Sequence, residues 1–130
     1  MYTALTNGVR VTVTPLYLED QSDPEAGRYV FAYTVEIVNL NTGRVRLRDR
    51  YWKIVDGLGR VHEVRGEGVV GQQPVLGPGE SFTYTSGCPL ETPDGTMEGV
   101  YGMERADGAR FEATIPAFSL DSPHARRSLH

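Results

Sequence analysis

From Val9 to Leu120 the apolar residues recur at every second position and are mostly β-branched or aromatic, while helical spacing is almost missing. A chain patterned this way buries one side of each successive strand and calls for packed antiparallel sheets. The stretch VRVTVTPLYL alternates Val9, Val11 and Val13, then shifts phase across Pro15 to Leu16 and Leu18. A proline there predicts a bulge or an edge position, so this first strand is expected at a sheet edge. RYVFAYTVEIVNL sets Tyr29, Phe31, Tyr33, Val35 and Ile37 on one face as a core strand, closed by the turn LNTG. RVRLRDRYWKIVDGLGRVHEV predicts a long strand, a DGLG turn and a return strand, with Asp-Gly as the hairpin signal. ESFTYTSG alternates Phe82 with Tyr84, and MEGVYGMER, ADG and RFEATIPAF form a closing hairpin.

About seven strands follow, separated by Gly, Pro, Asn and Asp turns and without a repeating block. The fold class is therefore all-β, an immunoglobulin or fibronectin type III-like antiparallel β-sandwich, with a small closed barrel as the alternative. A chain of 130 residues holds one domain, placed at residues 1–121, and residues 122–130 are expected to form a flexible tail. LEDQSDPEAG, from Leu18 to Gly27, reads as an inter-strand loop. The segment EGVYG fits either a tyrosine corner, with the Tyr101 hydroxyl bonded back to the chain, or a plain core tyrosine.

Thirteen basic residues against seventeen acidic ones give a net charge of −4, which supplies no global attraction to nucleic acid or an anionic membrane. The N-terminus lacks a signal-peptide pattern, and no stretch approaches a membrane span. The lone Cys88 cannot form an internal disulfide, which suits a reducing compartment. A cytoplasmic location is the expectation, without nucleic acid or membrane as partner.

The segment VRGEGVVGQQPVLGPGE carries Gly66, Gly68 and Gly71 in the G-x-G-x-x-G spacing of dinucleotide sites. That fingerprint works only where the turn opens a helix inside a βαβ unit. Here Pro74 and Pro78 forbid the helix interior, and Glu91, some twenty positions on, has no ribose to meet. Two readings remain. Backbone amides around the glycines could form an anion nest, assisted by Arg65, Arg48 and Arg50. Alternatively the glycines permit positive φ or close backbone passage, with Val69, Val70 and Val75 pinning the loop to the core.

Arg44, Arg46, Arg48 and Arg50 alternate with Val45, Leu47, Asp49 and Tyr51. Trp52 shares the arginines' parity, so a core-facing Trp52 requires a phase change near Asp49 to Tyr51 and turns Arg50 inward, where a carboxylate or carbonyls must meet it. Arg44, Arg46 and Arg48 are left as an exposed stripe, either simply solvated or open to an acidic partner or phosphate. His62, His124 and His130 have no metal-ligand spacing, and Glu63 points away from His62 on a strand. Cys88, Ser86 and Ser22 lack a neighbouring base, and Asp20, Asp23 and Glu25 are explained by loop solvation. No catalytic residue, metal site or cofactor is expected.

Taken together, RYVFAYTVEIVN, RYW, VRGEGVVGQQPVLGPGE, YTSG, GTMEGVYGM and IPAFSL resemble the ApaG family over roughly Val9 to Leu120, nearly the whole domain. The resemblance implies a bacterial cytoplasmic protein with a fibronectin type III-like sandwich and no enzymatic activity, linked to cobalt tolerance and magnesium efflux. Related domains in eukaryotic F-box proteins and in a polymerase-interacting protein look like protein-interaction modules. The family's glycine motif maps onto Gly66, Gly68 and Gly71, and its aromatic signatures onto Phe31, Tyr33 and Trp52. This chain departs from the pattern with Tyr51 where a histidine is common, with Gln72 where an acid is common, and in its tail rich in Arg and His. The Gln72 change weakens cation binding at the loop. A protein-interaction module that presents a sheet face and the Gly66 to Gly79 loop to an unidentified protein partner, with Val69, Val70, Gln72 and Gln73 as contact residues, is the leading expectation. Binding of a phosphate-containing small molecule at residues 66–71 is the alternative, and a homodimer through open edge strands is compatible with either.

Overall fold

The computed structural model describes residues 1–125, which form nine strands in two antiparallel sheets. The strands are β1 (Tyr2–Thr6), β2 (Val9–Tyr17), β3 (Tyr29–Asn39), β4 (Val45–Asp56), β5 (Val61–Glu67), β6 (Val75–Leu76), β7 (Ser81–Leu90), β8 (Asp94–Arg105) and β9 (Arg110–Asp121). One sheet runs β1-β2-β3-β7 and the other β5-β4-β8-β9, with β6 also paired to β4. The expected sandwich is thus present. The two strands beyond the expected seven are β1 and the two-residue β6, each too short to show a period.

The core lies between the sheets because the alternating residues face inward. Val9, Val11 and Val13 of β2, Phe31, Tyr33, Val35 and Ile37 of β3, and Tyr84, Cys88 and Leu90 of β7 form one wall. Val45, Leu47 and Trp52 of β4, with Met97, Tyr101, Met103, Ile115, Phe118 and Leu120 of β8 and β9, form the other. The phase change in β4 is real, but it lies slightly earlier than expected: the β4–β8 register shifts between Leu47 and Asp49, at Arg48. One extra residue there lets Leu47 and Trp52 both face the core despite opposite parity.

β2 is not an edge strand. β1 covers it on one side and β3 on the other, and its register with β3 is unbroken from Val9 to Tyr17. No bulge forms at Pro15, and Leu16 stays exposed while Tyr17 continues the inward parity. The Leu18 N–H donates to the Val30 carbonyl and the Leu40 N–H to the Gly8 carbonyl, so even-numbered residues of β2 bond to β3. Pro15 therefore faces the other side, beyond the last β1 pair, Tyr2 with Val13, where its missing N–H costs no ladder bond.

Tyr101 is the plain core tyrosine and not a tyrosine corner: it is fully buried, and its hydroxyl bonds the Tyr84 hydroxyl across the two sheets instead of the backbone. The beginning of the tail is held down. The Ser122 N–H donates to the Pro93 carbonyl at 3.1 Å, and the His124 ring lies 6.0 and 6.3 Å from those of Tyr17 and Tyr29. The rest of the tail expected to be flexible, residues 126–130, lies outside the described residues.

The β4–β5 turn is organised by Asp56. Its carboxylate accepts the Leu58 and Arg60 N–H groups at 2.9 and 3.0 Å and Arg60 Nε at 2.6 Å. The left-handed residue is Gly59, at φ 80°, so the hairpin uses three loop residues instead of an Asp-Gly pair. Desolvation opposes ionisation of Asp56, but the Arg60 and Leu58 donors outweigh it and hold its pKa below the usual carboxylate value. A depressed folded pKa means that the stabilisation is present above the unfolded value, about 4, and is lost as the pH falls through the folded one. Asp56→Asn is expected to melt lower than wild type at pH 7 and to approach it on acidification. Parallel melting-temperature curves from pH 7 to pH 2.5 would contradict this role.

The two flanks of the sandwich differ. β1 and β2 pack over β9, where Tyr2 and Ser119 share a hydroxyl contact of 3.2 Å and Thr6 Oγ1 accepts the Thr114 N–H. On the opposite flank β5 and β7 splay apart, and nearly every β5 residue is exposed. A groove of about 510 Å³ opens there, lined by residues that include Ile54, His62, Val64, Cys88 and Leu90.

Candidate functional site

The glycine segment is an excursion along one edge of β4. β5 pairs with Asp49 to Val55, the chain then leaves the sheet, and β6 rejoins the same edge at Val45 and Arg46. Departure and return are both tied to the bulged stretch: the Gly68 N–H donates to the Arg48 carbonyl at 2.9 Å, and the Leu47 N–H to the Pro74 carbonyl at 3.0 Å. No helix follows Gly71, as the prolines require.

Arg50 turns inward as expected and meets carbonyls. Its Nη1 donates to the Glu67 and Gly68 oxygens at 3.1 and 2.9 Å. Gly66 is its cross-strand partner, and a Cβ there would sit 2.8 Å from Nη1, so the missing side chain is what admits the guanidinium. At Gly68, φ is +64° and a Cβ would come within 2.2 Å of the Gln72 carbonyl oxygen. Gly71, at φ +78°, has open space around it and serves the turn alone.

Between these glycines the chain makes a tight hairpin. Val69 and Gln72 exchange two backbone bonds, of 2.8 and 2.9 Å, around Val70 and Gly71. Both central residues have positive φ, 45° and 78°, the type I′ arrangement. Val69 is 1% exposed and plugs the core, whereas Val70 is 55% exposed at the tip. The Gln73 side chain reaches back under the hairpin, donating to the Arg48 carbonyl at 2.7 Å and accepting from Arg46 Nη2 at 3.1 Å.

Of the residues expected to contact a partner, Val70 and Gln72 are thus exposed, while Val69 and Gln73 are spent on anchoring. Val75 and Val70 do not pin the loop: both are exposed, and of the three valines only Val69 is buried in the core.

The arginines expected to assist an anion do not converge. Arg65 lies on the opposite face of β5 from Gly66, 4.4 Å above the Tyr51 ring and 3.9 Å from Glu63. Arg48 reaches Glu104 at 3.8 Å, and Arg50 Nη1 is occupied by carbonyls. The amides of Gly68, Val69 and Gln72 are consumed by backbone carbonyls, so they are not turned outward as a nest. The expected arginine stripe is interrupted in the same way: Arg46 is held by Gln73 and Arg48 by Glu104, which leaves Arg44 as the exposed member.

Beneath the loop the core is polar at its edge. Burial pushes the hydroxyls of Tyr33, Tyr84 and Tyr101 above the usual phenol range, and the Arg50 charge opposes this only weakly. These groups stay protonated and serve as hydrogen-bonding members of the core. Burial likewise raises the Cys88 thiol to about 11, far from an activated thiolate. Among the described residues no set of three or more His, Cys, Asp or Glu side chains is placed to hold a metal ion, and no helix is long and apolar enough to cross a membrane.

The groove between β5 and β7 had no counterpart in the sequence reading. Its walls come from residues that share an inward parity, such as His62 with Val64 and Cys88 with Leu90, but only the spacing of the two sheets shows that, among the described residues, no side chain fills the gap.

Comparison with known proteins agrees with this geometry. The sequence profile of the ApaG domain matches residues 19–105. Proteins named ApaG from a Methylobacterium species and from Methylobacterium nodulans are each 65% identical over 130 residues, the full length of this chain and of both relatives. The crystal structure of a Bordetella pertussis protein designated ApaA superposes with a TM-score of 0.87 at 53% identity, covering 90% of this chain and 95% of that one. A domain match over most of the chain, end-to-end relatives and a shared fold together place this chain in the ApaG family.

Proposed function

We propose that the protein is a non-enzymatic binding module that presents the Gly66 to Gly79 segment to a protein partner in the cytoplasm. One observation carries this reading: the polar groups under the segment are turned inward to hold its shape. Arg50, Gln73 and the Gly68 amide all bond back to the chain, while Val70, Gln72 and Val75 face out. A surface built this way offers a fixed contour for another protein to fit. A contribution to divalent-cation homeostasis, which the family resemblance implied, would then run through the partner and not through an ion held here.

The test is retention of proteins from a lysate of the source bacterium on the immobilised full chain. A Gln72→Lys, Val75→Lys pair puts charge on the outward side without touching the anchors, and Thr12→Lys on the far sheet is the control. The expected result is a specific partner retained by wild type and by the control and reduced at least about tenfold by the pair, as for disruption of an interface centre. Equal retention by all three, or turnover of a phosphoester by the purified protein that is lost on Gly68 substitution, would defeat the reading.

A further inference from the structure

The hairpin tip is unfavourable on its own terms in two ways. Type I′ turns favour Asn, Asp or Gly at the first central position because φ is positive there, and a β-branched residue is the poorest choice. Val70 nevertheless occupies it, at φ 45°. The same side chain is 55% exposed, so it recovers little of the burial that favours valine elsewhere. Strain and exposure at one residue, with no return from the described residues, point outward.

The surroundings agree. From Gly68 to Gly79 the sequence GVVGQQPVLGPG carries no charged residue, although charged residues make up 23% of the chain. Loss of charge around a rigid apolar residue is the composition of an interface centre, not of an ordinary solvated loop. The mounting is stiff, since the two cross-turn bonds, the buried Val69 and the Gln73 and Arg50 tethers fix the tip before any partner arrives.

We infer that Val70 is the anchor of the interaction surface, inserting into an uncharged apolar socket about one side chain wide on a different protein. This deepens the binding-module reading and rests on it. The socket is bordered by hydrogen-bonding groups that match Gln72 and the Gly71 backbone, and it excludes charge, because a charged rim would be desolvated against a charge-free tip.

The experiment pairs stability with retention. Val70→Asn and Val70→Gly both suit positive φ and remove the apolar tip. Val70→Asn is expected to raise the melting temperature by about 2–5 °C, the usual gain from relieving one strained turn position. Both variants are expected to lower retention of the wild-type partner by about 30-fold or more, as loss of a hot spot does. A partner retained by wild type, lost with the Gln72 and Val75 pair, yet kept by both Val70 variants would overturn the anchor and leave the module reading standing. Absence of any wild-type partner would remove both. Sedimentation of the pure chain covers the remaining occupant: self-association abolished by Val70→Asn would place the socket on a second copy and overturn the assignment to a different protein.

Discussion

Truncating Trp52 to alanine is expected to lower the unfolding free energy by about 3–5 kcal/mol, the range found for large aromatic residues in close-packed cores. Trp52 is 3% exposed and joins three elements at once. Its ring meets Tyr33 of the facing sheet edge-on at 5.1 Å, and it stands nearly perpendicular to Tyr101 and Phe118 at 6.4 and 6.0 Å. Removing it opens a cavity that rigid sheets cannot collapse to fill. Urea unfolding followed by circular dichroism is the right readout, since the chain has a single Trp and loses its fluorescence probe with the substitution. The midpoint should fall with little change in slope. A cost under about 1.5 kcal/mol, typical of a tolerated volume-conserving swap, would mean that the packing centre lies elsewhere.

Gly68→Ala is expected to cost about 2–4 kcal/mol, against about 1 for Gly71→Ala, although both positions have positive φ. The shared part is left-handed strain on an L-residue. The difference comes from space: a Cβ at Gly68 would lie 2.2 Å from the Gln72 carbonyl oxygen, a backbone atom that cannot move without breaking the cross-turn bonds, whereas nothing lies within 4 Å of one at Gly71. Thermal melts of the two variants compare them directly. Equal losses would show that the close passage at Gly68 does not constrain the loop. This contrast also explains the motif that suggested a nucleotide site, because each of its three glycines has a separate reason for lacking a side chain: a guanidinium at Gly66, a carbonyl at Gly68 and turn geometry at Gly71.

Much of this was legible along the chain. The alternation in β3 and β7, the β4–β5 and β8–β9 hairpins and the inward turn of Arg50 follow from local patterns. Those patterns set which side of a strand is apolar, and a strand buries its apolar side wherever it lies. The prolines after Gly71 likewise excluded a helix without reference to the rest of the molecule. The errors arose where a residue's role depends on distant neighbours. Pro15 marked an edge only at one end of β2, because β1 covers the other end, and five residues with no distinctive pattern gave no sign of that pairing. The hydroxyl of Tyr101 found Tyr84 on the opposite sheet, a partner chosen by how the sheets stack.

The order of residues by itself therefore determined the class of fold, the inward-facing set and the absence of a helix behind the glycines, since each depends on period or on backbone chemistry within a few positions. Only the tertiary structure decided that Val69 is a plug and Val70 a protruding tip, that the arginines face different ways, and that among the described residues a groove separates β5 from β7. Adjacent valines are chemically identical, and what separates them is a two-residue turn whose position is set by where the loop leaves and rejoins the edge of β4.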